Sequence, residues 1–279
     1  MEIETGTELV LARIVDGVGV VTLHRPERRN ALHPDMYRAI PEVLDHFETD
    51  AAVRCIMITG TGSAFCAGGD VVGGRRPVET TAAGEPTGEP TIGQRAAALT
   101  DEARMVVHLH RSEKVTLAAL PGPAVGAGIA IALAADLRIA ARSTRFVPGW
   151  GALGFSGDFG GTWFLTRYLG PSRALEFLVE DEAMDVDEAH RLGLVNRVVA
   201  DDDLPAAALD WARRIAAKPH TAQRYVKQNI RQAETLGLEA ALPLESERMV
   251  RCSTTDEHRE AVAQWLAAAR AKQARKEQS

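Results

Sequence analysis

The sequence predicts an α/β protein with a helical C-terminal region, and three observations carry that prediction. Short β-rich runs alternate with segments of helical period between residues 9 and 141, a pattern of β-α-β units and a largely parallel sheet. Beyond Asp203 the 3.6-residue period continues with no convincing strand. Finally, 46% apolar and 25% charged residues in 279 give the balance of a folded globular chain rather than a disordered one.

The elements follow in order. LVLARIV (Leu9–Val15), GVVTLHR (Gly19–Arg25), RCIMITG (Arg54–Gly60), VTLAAL (Val115–Leu120) and DLRIAA (Asp136–Ala141) are expected strands, rich in branched apolar residues. Asp35–Phe47 and Gln94–Leu109 carry apolar residues at helical spacing. After them LPAAALDWARRIAA, HTAQRYVKQNIRQAETLG, LEAALPLESERMVR and DEHREAVAQWLAAARAKQARK read as successive helices. The chain therefore divides into a core, residues 1–203, and a helical region, residues 204–279. A helical appendage with little core of its own packs on the main domain or on a neighbouring subunit. Arg75–Gly93, rich in Pro, Gly and Thr, is expected to be a loop bordering a site.

Composition excludes several classes. A net charge of −6, from 32 Lys and Arg against 38 Asp and Glu, opposes nucleic acids and anionic membranes as partners. Cys55, Cys66 and Cys252 are widely spaced and odd in number, so neither a disulfide framework nor a metal knuckle is expected, and no metal site. The N-terminus lacks a signal-peptide pattern, and the longest apolar run is interrupted by Pro121, Gly122 and Pro123, so the expected location is cytoplasmic.

Two glycine-containing turns follow strands: TGTGSAFCAGGDV after the third and GPAVGAGIAIALAAD after the fourth. In the latter, Gly126, Ala127 and Gly128 open an apolar helix whose first N–H groups can hold an anion or a developing oxyanion. A tight packing turn is the plainer reading of the same residues. Ala130 and Ile131 stand where a dinucleotide fingerprint needs its last glycine, the P-loop lysine is missing, and Ser156 lies in no GxSxG elbow.

These pieces resemble the crotonase, or enoyl-CoA hydratase/isomerase, superfamily. RPERRNAL (Arg25–Leu32), AFCAGGD (Ala64–Asp70), GPAVGAGIAIALAADLRIAARS (Gly122–Ser143), GGTWFLTRYLG (Gly160–Gly170) and the A-x-R-L-G-L-V-N-x-V run (Ala189–Val198) occur in the family's order. The resemblance implies a spiral of β-β-α units and an acyl-CoA thioester substrate, with no permanently bound cofactor and coenzyme A entering as part of that substrate. It implies a homotrimer or homohexamer, with Trp265 beside a neighbour's coenzyme site. It assigns the oxyanion hole to the N–H groups of Gly69 and Ala127, and the coenzyme A groove to Arg28 with Cys66, Ala67, Gly68, Asp70, Val71 and Gly126. On residue type alone Arg28 is more often a solvated surface cation, and Asp70 a residue that fixes its turn by local hydrogen bonding rather than reacting.

The resemblance also narrows the chemistry. The two family positions for hydratase glutamates are occupied by Ala130 and Trp150, neither of which titrates. Asp158 stands where an isomerase branch carries a single aspartate, and its D-x-G-G-T-W context resembles the ring 1,2-epoxyphenylacetyl-CoA isomerase type. A proton shuttle by Asp158 is one expectation, with Trp150 and Trp163 as pocket walls and Phe155, Phe159 and both tryptophans desolvating the carboxylate. The competing reading makes Asp158 the N-cap of a helix starting near Gly160 and the tryptophans core residues. Aryl-halide dehalogenase chemistry lacks its histidine base, since Ala103 holds that place and His108 and His110 lie further along the helix. Hydration by Asp158 with water, or thioester binding without chemistry, remain as alternatives.

Overall fold

A computed structural model describes residues 1–70 and 90–277; side chains beyond Ala271, the expected groove residue Val71 and most of the expected Arg75–Gly93 loop lie outside the described residues. Ten strands are present among these: Glu2–Ile3 (β1), Val10–Val15 (β2), Val18–Leu23 (β3), Cys55–Gly60 (β4), Val115–Leu120 (β5), Ala124–Val125 (β6), Leu137–Ala141 (β7), Arg145–Val147 (β8), Met184–Asp185 (β9) and Arg197–Val199 (β10). The helices are Pro34–Thr49 (α1), Ile92–Glu102 (α2), Arg104–Arg111 (α3), Ala127–Ala134 (α4), Gly161–Leu169 (α5), Pro171–Glu180 (α6), Val186–Arg191 (α7), Leu204–Ala216 (α8), His220–Ala233 (α9), Leu238–Ser253 (α10) and Asp256–Glu277 (α11).

Seven strands form the main sheet in the order β1-β2-β3-β4-β5-β7-β10, antiparallel at the first two pairs and parallel from β3 onward. The five runs expected from sequence all lie in it. A second sheet, β6-β8-β9, sits beside it. Side chains alternate across the main sheet, so its central strands feed two cores. Ile56 and Ile58 face a large cluster with Met36, Ile40 and Phe47 of α1 and the whole of α4. Cys55 and Met57, one residue out of step, face a second cluster closed by Leu204, Ala208, Trp211, Ala212 and Ala216 of α8. The sheet's packing therefore runs past residue 203, and α8 covers a face of the core.

Two further differences from the sequence reading have local causes. The segment expected as one helix over residues 94–109 is two, α2 and α3, broken at Ala103. The helices after α8 attach through polar anchors. Lys227 of α9 is 7% exposed; its ammonium reaches Asp136 at 2.5 Å and donates to the Lys114 carbonyl at 2.8 Å. Glu257 of α11 accepts the N–H groups of His220 and Thr221 at the start of α9, at 3.1 and 2.9 Å, and also pairs with Arg54. An acceptor at that end answers the orphan donors of the first turn. No helix among the described residues is long and apolar enough to cross a membrane.

Candidate active site

Three backbone segments meet at one end of the parallel strands. After β4 the chain turns through Ala64–Asp70, and after β5 it turns through Gly122–Ala127 into α4. The Cys66 N–H donates to the Pro123 carbonyl at 3.3 Å, and the Val125 N–H to the Cys66 carbonyl at 2.9 Å, which makes Cys66 and Ala124 a parallel bridge. On the other side the Leu32 N–H donates to the Gly68 carbonyl at 2.8 Å, and the Asp70 N–H to the Leu32 carbonyl at 3.2 Å. Both bonds on that side use the neighbours of Gly69, so in strand alternation the Gly69 N–H faces away from Leu32. Neither it nor the Ala127 N–H donates to another described group.

Glycine is required where these segments touch. Gly126 has φ +53° and ψ −121°, a conformation that residues with a Cβ rarely adopt. At Gly128 a Cβ would stand 2.5 Å from the Cys66 carbonyl oxygen. At Gly68, with φ +82°, it would stand 2.9 Å from the Val125 carbonyl oxygen and 3.7 Å from the Ala127 nitrogen. The two turns are thus in backbone contact. Each offers one donor without a partner among the described residues.

The next strand carries the aromatic wall. The Gly126 N–H donates to the Val147 carbonyl at the end of β8, at 3.0 Å, and a turn then brings in Trp150, 6% exposed. Its indole lies 3.8 Å from the Cβ position of Gly126 and 2.5 Å from that of Gly161, so it is wedged between the starts of α4 and α5. The indole Nε1–H donates to Asp158 Oδ1 at 2.8 Å.

Asp158 is not an N-cap. Gly160, in a left-handed conformation, caps α5, with no side-chain hydrogen bond; only the Asp158 main-chain carbonyl accepts there, from the Gly161 N–H at 2.9 Å. The carboxylate turns instead to Trp150. Phe159 holds φ +52°, an uncommon conformation for a bulky residue and one that locates strain beside this aspartate. Burial raises the Asp158 carboxyl above its ordinary value, and the Trp150 hydrogen bond opposes that rise.

Other expected site residues fall into two groups. Arg28 sits exposed in the short turn Pro26–Arg28, and Gly69 is exposed at the mouth of the turns. Cys66 joins the site through its backbone alone; its thiol is fully buried and pushed up to about 12 by desolvation. Asp70 does more than fix its own turn: Oδ2 pairs with Arg25 Nη1 at 2.7 Å, both side chains largely buried. Trp163 is 41% exposed, its ring packed against His110, Phe164 and the Arg167 guanidinium rather than against Asp158. Phe155 is 61% exposed, so of the four rings expected around the carboxylate Trp150 and Phe159 are the buried ones, and Trp150 touches it. His108 pairs with Asp45 at 2.7 Å, and His110 packs on α5.

Two residues at these turns escaped the sequence reading. Arg25 clamps Asp70 and also donates to the Ala31 carbonyl at 3.1 Å. Asn30, fully buried at φ +58°, donates to the carbonyls of Thr61 and Ala64 at 3.0 and 2.8 Å and accepts the Arg25 N–H at 2.9 Å. Asn is among the residues that tolerate this conformation, which was the available signal in RPERRNAL. Among the described residues no group of three His, Cys, Asp or Glu could hold a metal.

A parallel-rich sheet whose two post-strand turns converge beside a half-buried carboxylate and a C-terminal set of helices defines an α/β protein of the crotonase architecture. The chain belongs to the enoyl-CoA hydratase/isomerase family, whose model matches residues 13–273. It is 35% identical over 261 residues to the 1,2-epoxyphenylacetyl-CoA isomerase of Escherichia coli (strain K12), covering 93% of this chain and 96% of that one. It is 34% identical to 4-chlorobenzoyl coenzyme A dehalogenase-2 of an Arthrobacter species, covering 84% and 82% respectively. The crystal structure of an enoyl-CoA hydratase from Polaromonas sp. JS666 superposes with a TM-score of 0.82 at 30% identity, covering 93% of this chain and 97% of that one. The protein is thus an acyl-CoA enzyme whose named relatives include an isomerase, a dehalogenase and a hydratase.

Proposed function

We propose that this protein is an enoyl-CoA isomerase that moves a double bond by a single-carboxylate proton shuttle. The observation that carries the reading is the hydrogen bond from Trp150 to Asp158, which holds a half-buried carboxylate clear of the helix cap near two N–H groups that have no partner among the described residues. Ionised Asp158 takes a proton from C2 of a 3-enoyl thioester. The electron pair passes into the thioester carbonyl, and the oxygen of the resulting dienolate is held by the N–H groups of Gly69 and Ala127. Each such donor is worth about 2.7–4 kcal/mol where measured singly. Asp158 then returns its proton at C4, and the double bond closes between C2 and C3. No atoms are gained or lost.

Burial favours this role. A carboxyl raised by desolvation is a stronger base than one in water, nearer the pKa at which one group can both take and return a proton. Arg28 and the backbone of Ala67–Gly69 would grip the coenzyme A portion of the thioester. Exposed Leu238, Leu242, Met249, Val250 and Trp265 on α10 and α11 would be covered in a homotrimer or hexamer.

The test incubates the protein with 2-enoyl and 3-enoyl thioesters and follows products. Interconversion of the two, abolished in Asp158→Asn with thioester affinity retained, is the expected result. Formation of a 3-hydroxyacyl product far faster than isomerisation would assign hydration instead. No turnover of the parent protein would make it a thioester-binding module.

A further inference from the structure

Asp181, which follows α6, breaks two local rules. It holds a left-handed conformation, φ +55° and ψ 26°, where glycine is the unstrained choice. It also places a negative charge at a helix C-terminus, the end of the dipole that favours cations. Glu180 and Glu182 flank it, so no neighbour in the chain relieves either problem.

What Asp181 gains lies about thirty residues away in the sequence. Its Oδ1 accepts the Gly149 N–H at 2.7 Å, and its Oδ2 accepts the Ala152 N–H at 2.6 Å. These two donors bracket Trp150. Both bonds are short, as expected when the acceptor is ionised. Close approach is built in, since a Cβ on Gly151 would meet the Asp181 Cβ and Cγ at 3.3 Å. From the inner side, the Trp150 carbonyl gathers the N–H groups of Leu153 and Phe155 at 3.2 and 2.8 Å. The turn is thereby held from both sides, and its indole is aimed at Asp158.

We propose that Asp181 is a positioning residue: its carboxylate staples the Gly149–Ala152 turn so that the Trp150 indole N–H meets the Asp158 carboxylate. A residue that violates its own local preferences while satisfying two distant donors marks a functional support rather than a helix end. The inference rests on the reading of Asp158 as the proton-transfer group only for its effect on turnover. Its geometric content concerns the Trp150–Asp158 bond alone. Among the described residues, burial raises the Asp158 carboxyl and that bond lowers it, with no charged side chain acting on it.

Asp181→Gly is the informative variant, because glycine suits the left-handed backbone and removes the carboxylate together with its mismatch to the helix dipole. Two measurements read it: carbon-13 NMR titration of the Asp158 carboxyl, assigned by its disappearance in Asp158→Asn, and the pH profile of kcat/KM. With the staple gone the indole loses its aim, so the Asp158 carboxyl titrates at higher pH and the acid limb of kcat/KM moves up with it. Plateau kcat falls about tenfold, the order expected for one hydrogen bond to a charged group. Melting temperature changes little. Asp181→Asn keeps one acceptor and falls between the two, which also covers a failure of the glycine variant to fold. An Asp158 titration unmoved in both variants, or a drop in melting temperature without any shift in that titration, overturns the proposal. If Asp158→Asn retains turnover, the isomerase reading fails, yet the carboxyl titration still decides the role of Asp181.

Discussion

Substituting Gly128 by alanine tests the oxyanion geometry most directly. The added Cβ would lie 2.5 Å from the Cys66 carbonyl oxygen, 2.9 Å from Cys66 Cβ and 3.2 Å from the Cys66 carbonyl carbon. Ordinary contact begins near 3.4 Å, so the two turns must separate by about 0.9 Å, and the obstacle is main chain that no rotamer change can clear. The same carbonyl accepts the Val125 N–H at 2.9 Å, so that bond would lengthen beyond the hydrogen-bonding range. Overpacking of this kind costs about 1–3 kcal/mol and the lost bond about 1 more. A melting temperature lower by about 5–10 °C follows for a chain of this size. Gly69 and Ala127 lie on opposite sides of the forced gap, and a misplacement near 1 Å at a reacting centre costs about a hundredfold. In a rate assay with a 3-enoyl thioester, kcat should fall by about that factor with KM little changed. A variant that keeps parental kcat would refute the placement of these two N–H groups as the donors that hold the enolate oxygen.

Three other outcomes follow from the site. Asp158 binds its proton more tightly in the fold than in the unfolded chain, whose reference is 3.8, so the stability this contributes is present below 3.8 and lost as pH rises through the raised native value. Asp158→Asn should therefore melt above the parent near neutral pH, with the gap closing toward about pH 3, and an equal or lower melting temperature at neutral pH would contradict the burial argument. Trp150→Phe removes the donor from the 2.8 Å bond while keeping a ring, so the acid limb of kcat/KM should move to higher pH; an unmoved limb would separate the indole from the base. Cys55 and Cys66 are buried and both pushed up to about 12, so a thiol reagent at about pH 8 should modify only Cys252 in the native protein, and rapid labelling of a second thiol would show the two turns to be open.

Of the five main-sheet runs, Val18–Leu23, Cys55–Gly60, Val115–Leu120 and Leu137–Ala141 were legible as short, largely apolar runs buried on both faces, and Val10–Val15 by its alternation of buried and exposed residues, signals that need no partner to be read. Ala124–Val125, Arg145–Val147 and Met184–Asp185 are too short to carry any period, and the second sheet they form was invisible for that reason. The apolar stripe of α8 was visible, but periodicity says that a face is buried and not against what; it went with the tail although it closes the second core. At the site, glycine turns were readable because the need for glycine is local. Arg25 and Asp181 were not, since a cation in RPERR and an acid in EDE look like solvated charge until the fold brings Asp70 to one and the Trp150 turn to the other.

Trp150 makes the proposed single-acid reaction workable. Two carboxylates sharing one pocket repel, and their titrations become a property of the pair. With an indole at the second position, Asp158 has a neutral partner whose N–H favours the ionised base while its rings exclude the water that would otherwise lower the carboxyl to its ordinary value. The two influences oppose each other on one atom pair, and burial is the larger. In the proposed reaction, burial strengthens the base, the indole N–H steadies its ionised form, and the two backbone N–H groups take the charge drawn from carbon. Since the donor belongs to a side chain wedged between Gly126 and Gly161, that balance is set by packing, and its tuning passes to whatever fixes the turn beneath the indole.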